Sequence, residues 1–165
     1  MILLVRVDDR LVHGMVAVSW TSHLQPETLL VANDAVAKDE FKSMTMKMAK
    51  PAGVKLFVKT RDDAIKALNN PINDNKKIFL ITESLEDAYY ISLNVKGMTK
   101  VNVGTAGVNK KAGDEYLATL PQIFISRREF EYAKKLSDNG VDVFAQITPT
   151  RERMEYQEIE KIFKK

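Results

Sequence analysis

An open, doubly wound α/β sheet, mostly parallel, with helices on both faces and the last strand at an edge, is the fold class predicted by the 165-residue sequence. Three observations predict it. Short apolar runs rich in Ile, Leu and Val recur along the chain as ILLVRV, TLLVAN, VKLFV, KIFLIT, VNVG and QIFIS. They are continuous rather than alternating, the pattern of strands covered on both faces. Between most of them lie segments with helical periodicity or helix-start signals, and regular strand–helix alternation implies parallel strands joined by right-handed crossovers.

The first strand is predicted over 2–7. Val12, Val16, Trp20 and Leu24 then recur at steps of four, a helical stripe that stops at Pro26. A second strand is predicted over 28–33, with Asp34 capping a helix that runs to Lys50 before Pro51 and Gly53. A third covers 54–58, and Thr60 with Asp63 has capping-box spacing for a helix through Leu68. After a turn-rich loop over 69–75, the unit repeats: a strand over 77–82, Ser84 with Asp87, and a helix to Leu93. A fifth strand is predicted over 101–104. The segment TAGVNKKAGDEYLATLP that follows reads as a long loop with at most a short turn, and long loops in compact domains are often functional. A sixth strand over 122–126 leads to a helix capped by Ser126 and Glu129 and ended at Asn139-Gly140. VDVFAQ, 141–146, alternates more than the others and is placed at a sheet edge, and a helix over 152–163 closes the chain.

Composition sets bounds on function. The chain is 45% hydrophobic and 28% charged, the balance of an ordinary globular protein, and its length suits one domain over 1–165. No apolar run approaches the ~20 residues of a membrane span, and MILLVRVDD turns charged too early for a signal peptide, so a cytoplasmic protein is expected. The lack of cysteine removes disulfides, thiolate metal sites and cysteine nucleophiles. Although the net charge is +3, the 25 basic residues are scattered among 22 acidic ones without a long basic tract, which argues against a nucleic-acid partner. Such a surface suits an acidic protein or a phosphate.

The segment RVDDRLVHGMVAVSW, 6–20, gathers Arg6, Asp8, Asp9, Arg10 and His13 where the first strand ends and a helix is predicted to begin. In doubly wound sheets ligands bind beyond the carboxyl ends of the strands, where strand order reverses. Thr82, Asn102 and Gly104 are expected on the same rim, with Asn33 flanking from the other side. The residue types suit phosphate. A helix start offers unpaired N–H groups to an anion, Arg10 supplies a bidentate clamp, and Gly14 lets a backbone approach. An imidazole, with an ordinary pKa of ~6.5, is available as a nucleophile toward a phosphoryl group. Asp8 or Asp9 is placed to hold one ring nitrogen of His13 and so set the tautomer. On residue types alone, a histidine near a helix start is more often a cap than a nucleophile, the Asp8-Asp9 pair with Arg6 and Arg10 is equally an ion-pair network, Trp20 is core or cover, and His23 is surface. Met44, Met46 and Met48 are expected to pack beneath or beside their helix.

Other chemistries fit less well. A dinucleotide site needs GxGxxG after the first strand, where DDRLVHG has a single glycine, and the P-loop pattern is absent. A receiver domain has an acidic pair there too, but its phosphorylated aspartate belongs after the third strand, where this chain has Val58-Lys59. His13 and His23 lack a carboxylate at ligand spacing for zinc, and nothing supports Mg2+ at Asp8 and Asp9.

RVDDRLVHG followed by MVAVSW resembles the active-site segment of enzyme IIB components of the mannose, fructose and sorbose class of the bacterial sugar phosphotransferase system. VANDAVAKDEF resembles that family's second-strand segment and VNVG its fifth, and the total length is similar to that of a single-domain IIB. The resemblance implies a phosphotransferase in which His13 accepts a phosphoryl group from the phosphohistidine of a IIA protein and passes it to a sugar held by the membrane subunits IIC and IID. It implies that Arg10 holds the phosphate, that no cofactor, metal or nucleotide is needed, and that the protein is cytoplasmic but peripherally associated with the membrane permease. Two positions depart from the family pattern: Met15 replaces the glutamine usual after HG, and Thr105-Ala106 stands where a glycine pair is common. The reading kept beside this one is a non-enzymatic anion-sensing or regulatory module. For a homodimer, the edge strand and the methionine-rich helix are the candidate contact surfaces.

Overall fold

A computed structural model of the chain describes residues 1–14 and 16–165. Seven strands form one sheet in the order β3-β2-β4-β1-β5-β8-β9, and two form a separate antiparallel hairpin, β6-β7. The strands are β1 (Ile2–Val7), β2 (Thr28–Ala32), β3 (Lys55–Lys59), β4 (Ile78–Thr82), β5 (Lys100–Val103), β6 (Tyr116–Leu120), β7 (Ile123–Ser126), β8 (Asp142–Gln146) and β9 (Arg153–Glu155). The first six members of the main sheet pair in parallel and β9 pairs antiparallel with β8.

Helices cover both faces, as the unbroken apolar strands require. One face of the sheet packs against α4 (Arg61–Asn69), α5 (Leu85–Ser92), α6 (Arg127–Asp138) and α7 (Tyr156–Phe163), with Leu80, Val101, Ile91, Leu136 and Ile159 in its core. The other packs against the segment after β1 and α2 (Asp34–Ala37), with Leu29, Phe79, Ile81, Val16 and Trp20 at its centre. Val16–Trp20 is π-helical before tightening into α1 (Thr21–Leu24), so the stripe crosses two helix types while Val12, Val16 and Trp20 are all buried on this face.

Several expectations are corrected. The helix predicted from Asp34 to Lys50 is two helices, α2 and α3 (Glu40–Ala49), each with its own cap: Asn33, not Asp34, accepts from the Val36 N–H, and Asp39 accepts from the Lys42 N–H. The long loop after β5 contains β6, which pairs with β7, so the predicted sixth strand belongs to the hairpin rather than the main sheet. The last strand does lie at an edge, but it is the three-residue β9, inside the predicted closing helix; 141–146 supplies β8, one place in. Met44 and Met48 are exposed, with Met46 alone of the three half-buried.

Candidate active site

From β1 the chain runs outward to β2 and β3, returns to β4, then crosses β1 to reach β5 and β8. The loops leaving β1 and β5 therefore diverge, and a crevice opens between their carboxyl ends. Both ladders extend into it: the Asp8 N–H donates to the Thr82 carbonyl (2.9 Å) and the Gly104 N–H to the Val7 carbonyl (2.8 Å). Segment 8–13 is thus anchored on both sides before it turns. The Leu11 N–H closes that turn on the Asp8 carbonyl with Leu11 itself left-handed at φ 58°, a strained geometry for a branched residue that buries its side chain.

Asp8 is the hub. Its fully buried carboxylate accepts from the Arg10 N–H (3.0 Å), from Arg10 Nε and Nη2 (2.9 Å each) and from Arg6 Nη2 (3.1 Å), and its Oδ2 lies 3.0 Å from His13 Nε2. Burial alone would raise the Asp8 pKa, but the hydrogen bonds from His13 and Arg10 and the charge of Arg6 outweigh it and hold the carboxyl far below the usual range. Arg6 is itself buried. Its Nη1 donates to Asn102 Oδ1 (2.5 Å) and the Gln146 carbonyl (2.7 Å), and its guanidinium lies 5.5 Å from the Trp20 ring centre. Burial lowers the Arg6 pKa while Asp8 opposes the shift. Gly104 makes the arrangement possible: a Cβ there would sit 2.0 Å from Arg6 Cζ.

Asp9 points elsewhere, accepting from the N–H groups of Ala106 and Asn109 (3.0 Å each), while Asn109 Nδ2 returns a bond to the Asp9 carbonyl. It fastens the loop after β5 to the loop after β1. The two Asp residues therefore divide the work, Asp8 holding the imidazole and Asp9 holding the wall. Thr105 and Ala106, at the family's usual glycine pair, join this wall, with the Thr105 carbonyl accepting from Phe124. The Met15 departure lies outside the described residues.

The structure brings together Arg6, Asp8, Arg10, His13, Asn102 and Gly104. Gly14 is exposed and a Cβ there would meet nothing within 4 Å, so the fold itself makes no demand for glycine. Thr82 is buried with its hydroxyl on the Ser84 carbonyl, and Asn33 caps α2 and donates to Glu83. Both sit on the rim but outside the cluster around His13. Sequence reasoning missed Asn109, hidden in the long loop, and the role of Trp20, whose indole N–H donates to the Ile147 carbonyl (2.9 Å) and holds the segment after β8 against the site. The place of Trp20 in the i+4 stripe was the available signal.

A buried carboxylate on one imidazole nitrogen, an arginine on that carboxylate and a half-open ring at a strand end are chemically suited to covalent phosphoryl transfer. The model of the family described as the PTS system sorbose subfamily IIB component matches residues 2–165. The chain is 40% identical over 161 residues to a probable phosphotransferase enzyme IIB component of Streptococcus pyogenes serotype M6, covering 96% of this chain and 99% of that one. It is 29% identical over 150 residues to the N-acetylgalactosamine-specific phosphotransferase enzyme IIB component 2 of Escherichia coli, covering 90% and 92%. The fold matches the IIBSor domain of the Klebsiella pneumoniae sorbose permease with a TM-score of 0.87, 20% identity and coverage of 98% and 97%. The chain belongs to the sorbose subfamily of IIB components of the sugar phosphotransferase system.

Proposed function

We propose that His13 carries the phosphoryl group in this phosphotransferase component of sugar uptake, on Nδ1, and that the whole chain serves as one transfer domain. The observation that carries the reading is the 3.0 Å contact between His13 Nε2 and the buried Asp8 carboxylate. An ionised carboxylate can only accept, so Nε2 bears the proton and the lone pair resides on Nδ1. In the first step Nδ1 attacks the phosphorus of a phosphohistidine on a IIA protein. The new N–P bond forms as the donor's N–P bond breaks, and the Nε2 proton stays on His13 throughout. In the second step a hydroxyl of a sugar held by the membrane subunits IIC and IID attacks the same phosphorus, the His13 N–P bond breaks, and the hydroxyl proton leaves to water or to the membrane subunit.

Arg10 stabilises the transferring group. Its Nε and Nη2 are engaged by Asp8, while among the described residues Nη1 makes no hydrogen bond, so the guanidinium is oriented with one donor edge still to offer. Catalysis comes from positioning and charge, with neither metal nor nucleotide in the transfer. The docking of IIA and of IIC/IID at this rim, and a cytoplasmic location at the permease, belong to the same proposal; no helix among the described residues is long and apolar enough to cross a membrane.

The test is incubation with phosphoenolpyruvate, the general phosphotransfer proteins and a IIA protein, followed by intact-mass measurement. Wild type is expected to gain one acid-labile, base-stable phosphate and His13→Ala none, with an unchanged circular dichroism spectrum. Normal labelling of His13→Ala would sink the assignment, and an unlabelled wild type would favour an anion sensor.

A further inference from the structure

Beside the site lies a cavity of about 380 Å³ lined by Arg10, Gly104, Ala106, Gln122, Phe124 and Ile147. It is one carboxylate away from the reactive ring, because the Arg10 guanidinium that walls it grips the same Asp8 that holds His13. One wall is the turn of the β6-β7 hairpin, where two residues, Pro121 and Gln122, connect the strands. Gln122 has φ 98°. Proline followed by a residue at positive φ is the pattern of a type II turn, whose third position is normally glycine. A glutamine there strains the backbone, and nothing within the fold compensates: its side chain is exposed and, among the described residues, makes no hydrogen bond. Strain kept at the lip of a cavity beside a reactive group suggests that the side chain serves something outside the fold.

Phe124 and Ile147 give the cavity apolar walls, and cations stand at its margin. Arg10 lines it, and Lys110 Nζ lies 4.6 Å from the centre of the Phe124 ring. The occupant follows from the chemistry of transfer. Two imidazoles exchanging a phosphoryl group must hold the reacting atoms about 3–3.5 Å apart. The donor surface must therefore lie against this chain beside His13, and the cavity adjoins that contact through Arg10, which shares the Asp8 carboxylate with the ring. A donor arriving phosphorylated also brings the negative charge that Arg10 and Lys110 complement.

We infer that this cavity receives an apolar side chain of the phosphohistidine donor protein and that the Gln122 amide hydrogen-bonds the donor beside it. The inference rests on the reading of His13 as the phosphate acceptor. Gln122 is accordingly a docking residue, not a catalytic one, and acts on the encounter with the donor.

The test measures transfer from a phosphorylated IIA protein to wild type, Gln122→Gly and Gln122→Asn, with thermal melts of each. Gln122→Gly relieves the strain and removes the amide, so its Tm is expected to match or exceed wild type while KM for the donor rises at least threefold and kcat holds. Gln122→Asn keeps an amide and tolerates positive φ, so its KM is expected to lie between the two. An unchanged KM in Gln122→Gly, or a loss confined to kcat, overturns the inference while leaving His13 as acceptor. Competitive inhibition of wild type by millimolar inorganic phosphate that disappears in Gln122→Gly also overturns it, by making the cavity a small-anion site. A wild type that accepts no phosphate from the donor sinks the His13 reading and this inference together.

Discussion

Gly104 shows how much of the site depends on one absent methyl group. Its place is taken by the Arg6 guanidinium, which neutralises Asp8 from the inside. Gly104→Ala is expected to expel Arg6, leave Asp8 and Asn102 short of partners and cost more than about 3 kcal/mol, as breaking a buried ion pair usually does. Chemical denaturation checks this, and a cost below about 1 kcal/mol would show that Arg6 has another place to go. Asp8 predicts a pH dependence. Its folded pKa is depressed, so the stability it contributes is fully present above the unfolded value of about 4 and is lost as pH falls through the lower folded value. Relative to wild type, Asp8→Asn should therefore lose stability at pH 7, with the difference shrinking steadily below about pH 4. A difference independent of pH across that range contradicts the ionised hub. The identities of these residues were legible in the sequence, since RVDDRLVHG carries the whole charged set. Their division of labour was not, because adjacent aspartates on one turn point to different loops and only the tertiary fold says which loop lies on which side.

Elements with strong local signals were read correctly. Thr60, Ser84 and Ser126 each cap their helix by accepting from the N–H three residues on. The reciprocal half of the box went elsewhere: the Glu129 carboxylate caps α5 instead, accepting from the N–H groups of Leu85 and Glu86. β6 and β9 escaped notice, and β8 was predicted but placed one position too far out, for physical reasons. β9 is three residues long, and β8 reads as an edge because β9 pairs only with Phe144–Gln146 and leaves its Asp142 end without an outer neighbour. β6 lies in a half-buried hairpin whose pattern is weaker than that of a two-sided strand. The helix α3 carries an unusual face. None of its residues is buried, and Phe41 and Met48 are 79% and 81% exposed. Substituting either with alanine is expected to change stability by less than about 0.5 kcal/mol in urea unfolding, the range of surface positions. A larger loss would mean that this face packs against something within the fold.

For the molecule as a whole, topology did most to locate the site. A chain that builds outward from β1 to one side and later to the other must leave a gap between the loops that follow β1 and β5, and the charged segment begins where that gap opens. The sequence conveyed the alternation from which a gap is expected, but not the crossing of β1 between β4 and β5 that places it, since strand order is a long-range property. The two walls of the site differ in how they are built. The His13 side continues β1, a central strand hydrogen-bonded to neighbours on both flanks. The Gln122 side is a hairpin outside the main sheet, its Phe124 N–H tied to the rim at Thr105. Amide exchange should consequently be slowest in β1 and measurably faster in β6 and β7, and equal protection would contradict this. A carrier that meets a donor and then an acceptor has to offer one fixed reacting atom to two differently shaped surfaces. A nucleophile hung from the central strand meets that demand, since it keeps its aim whichever visitor seats against the wall opposite.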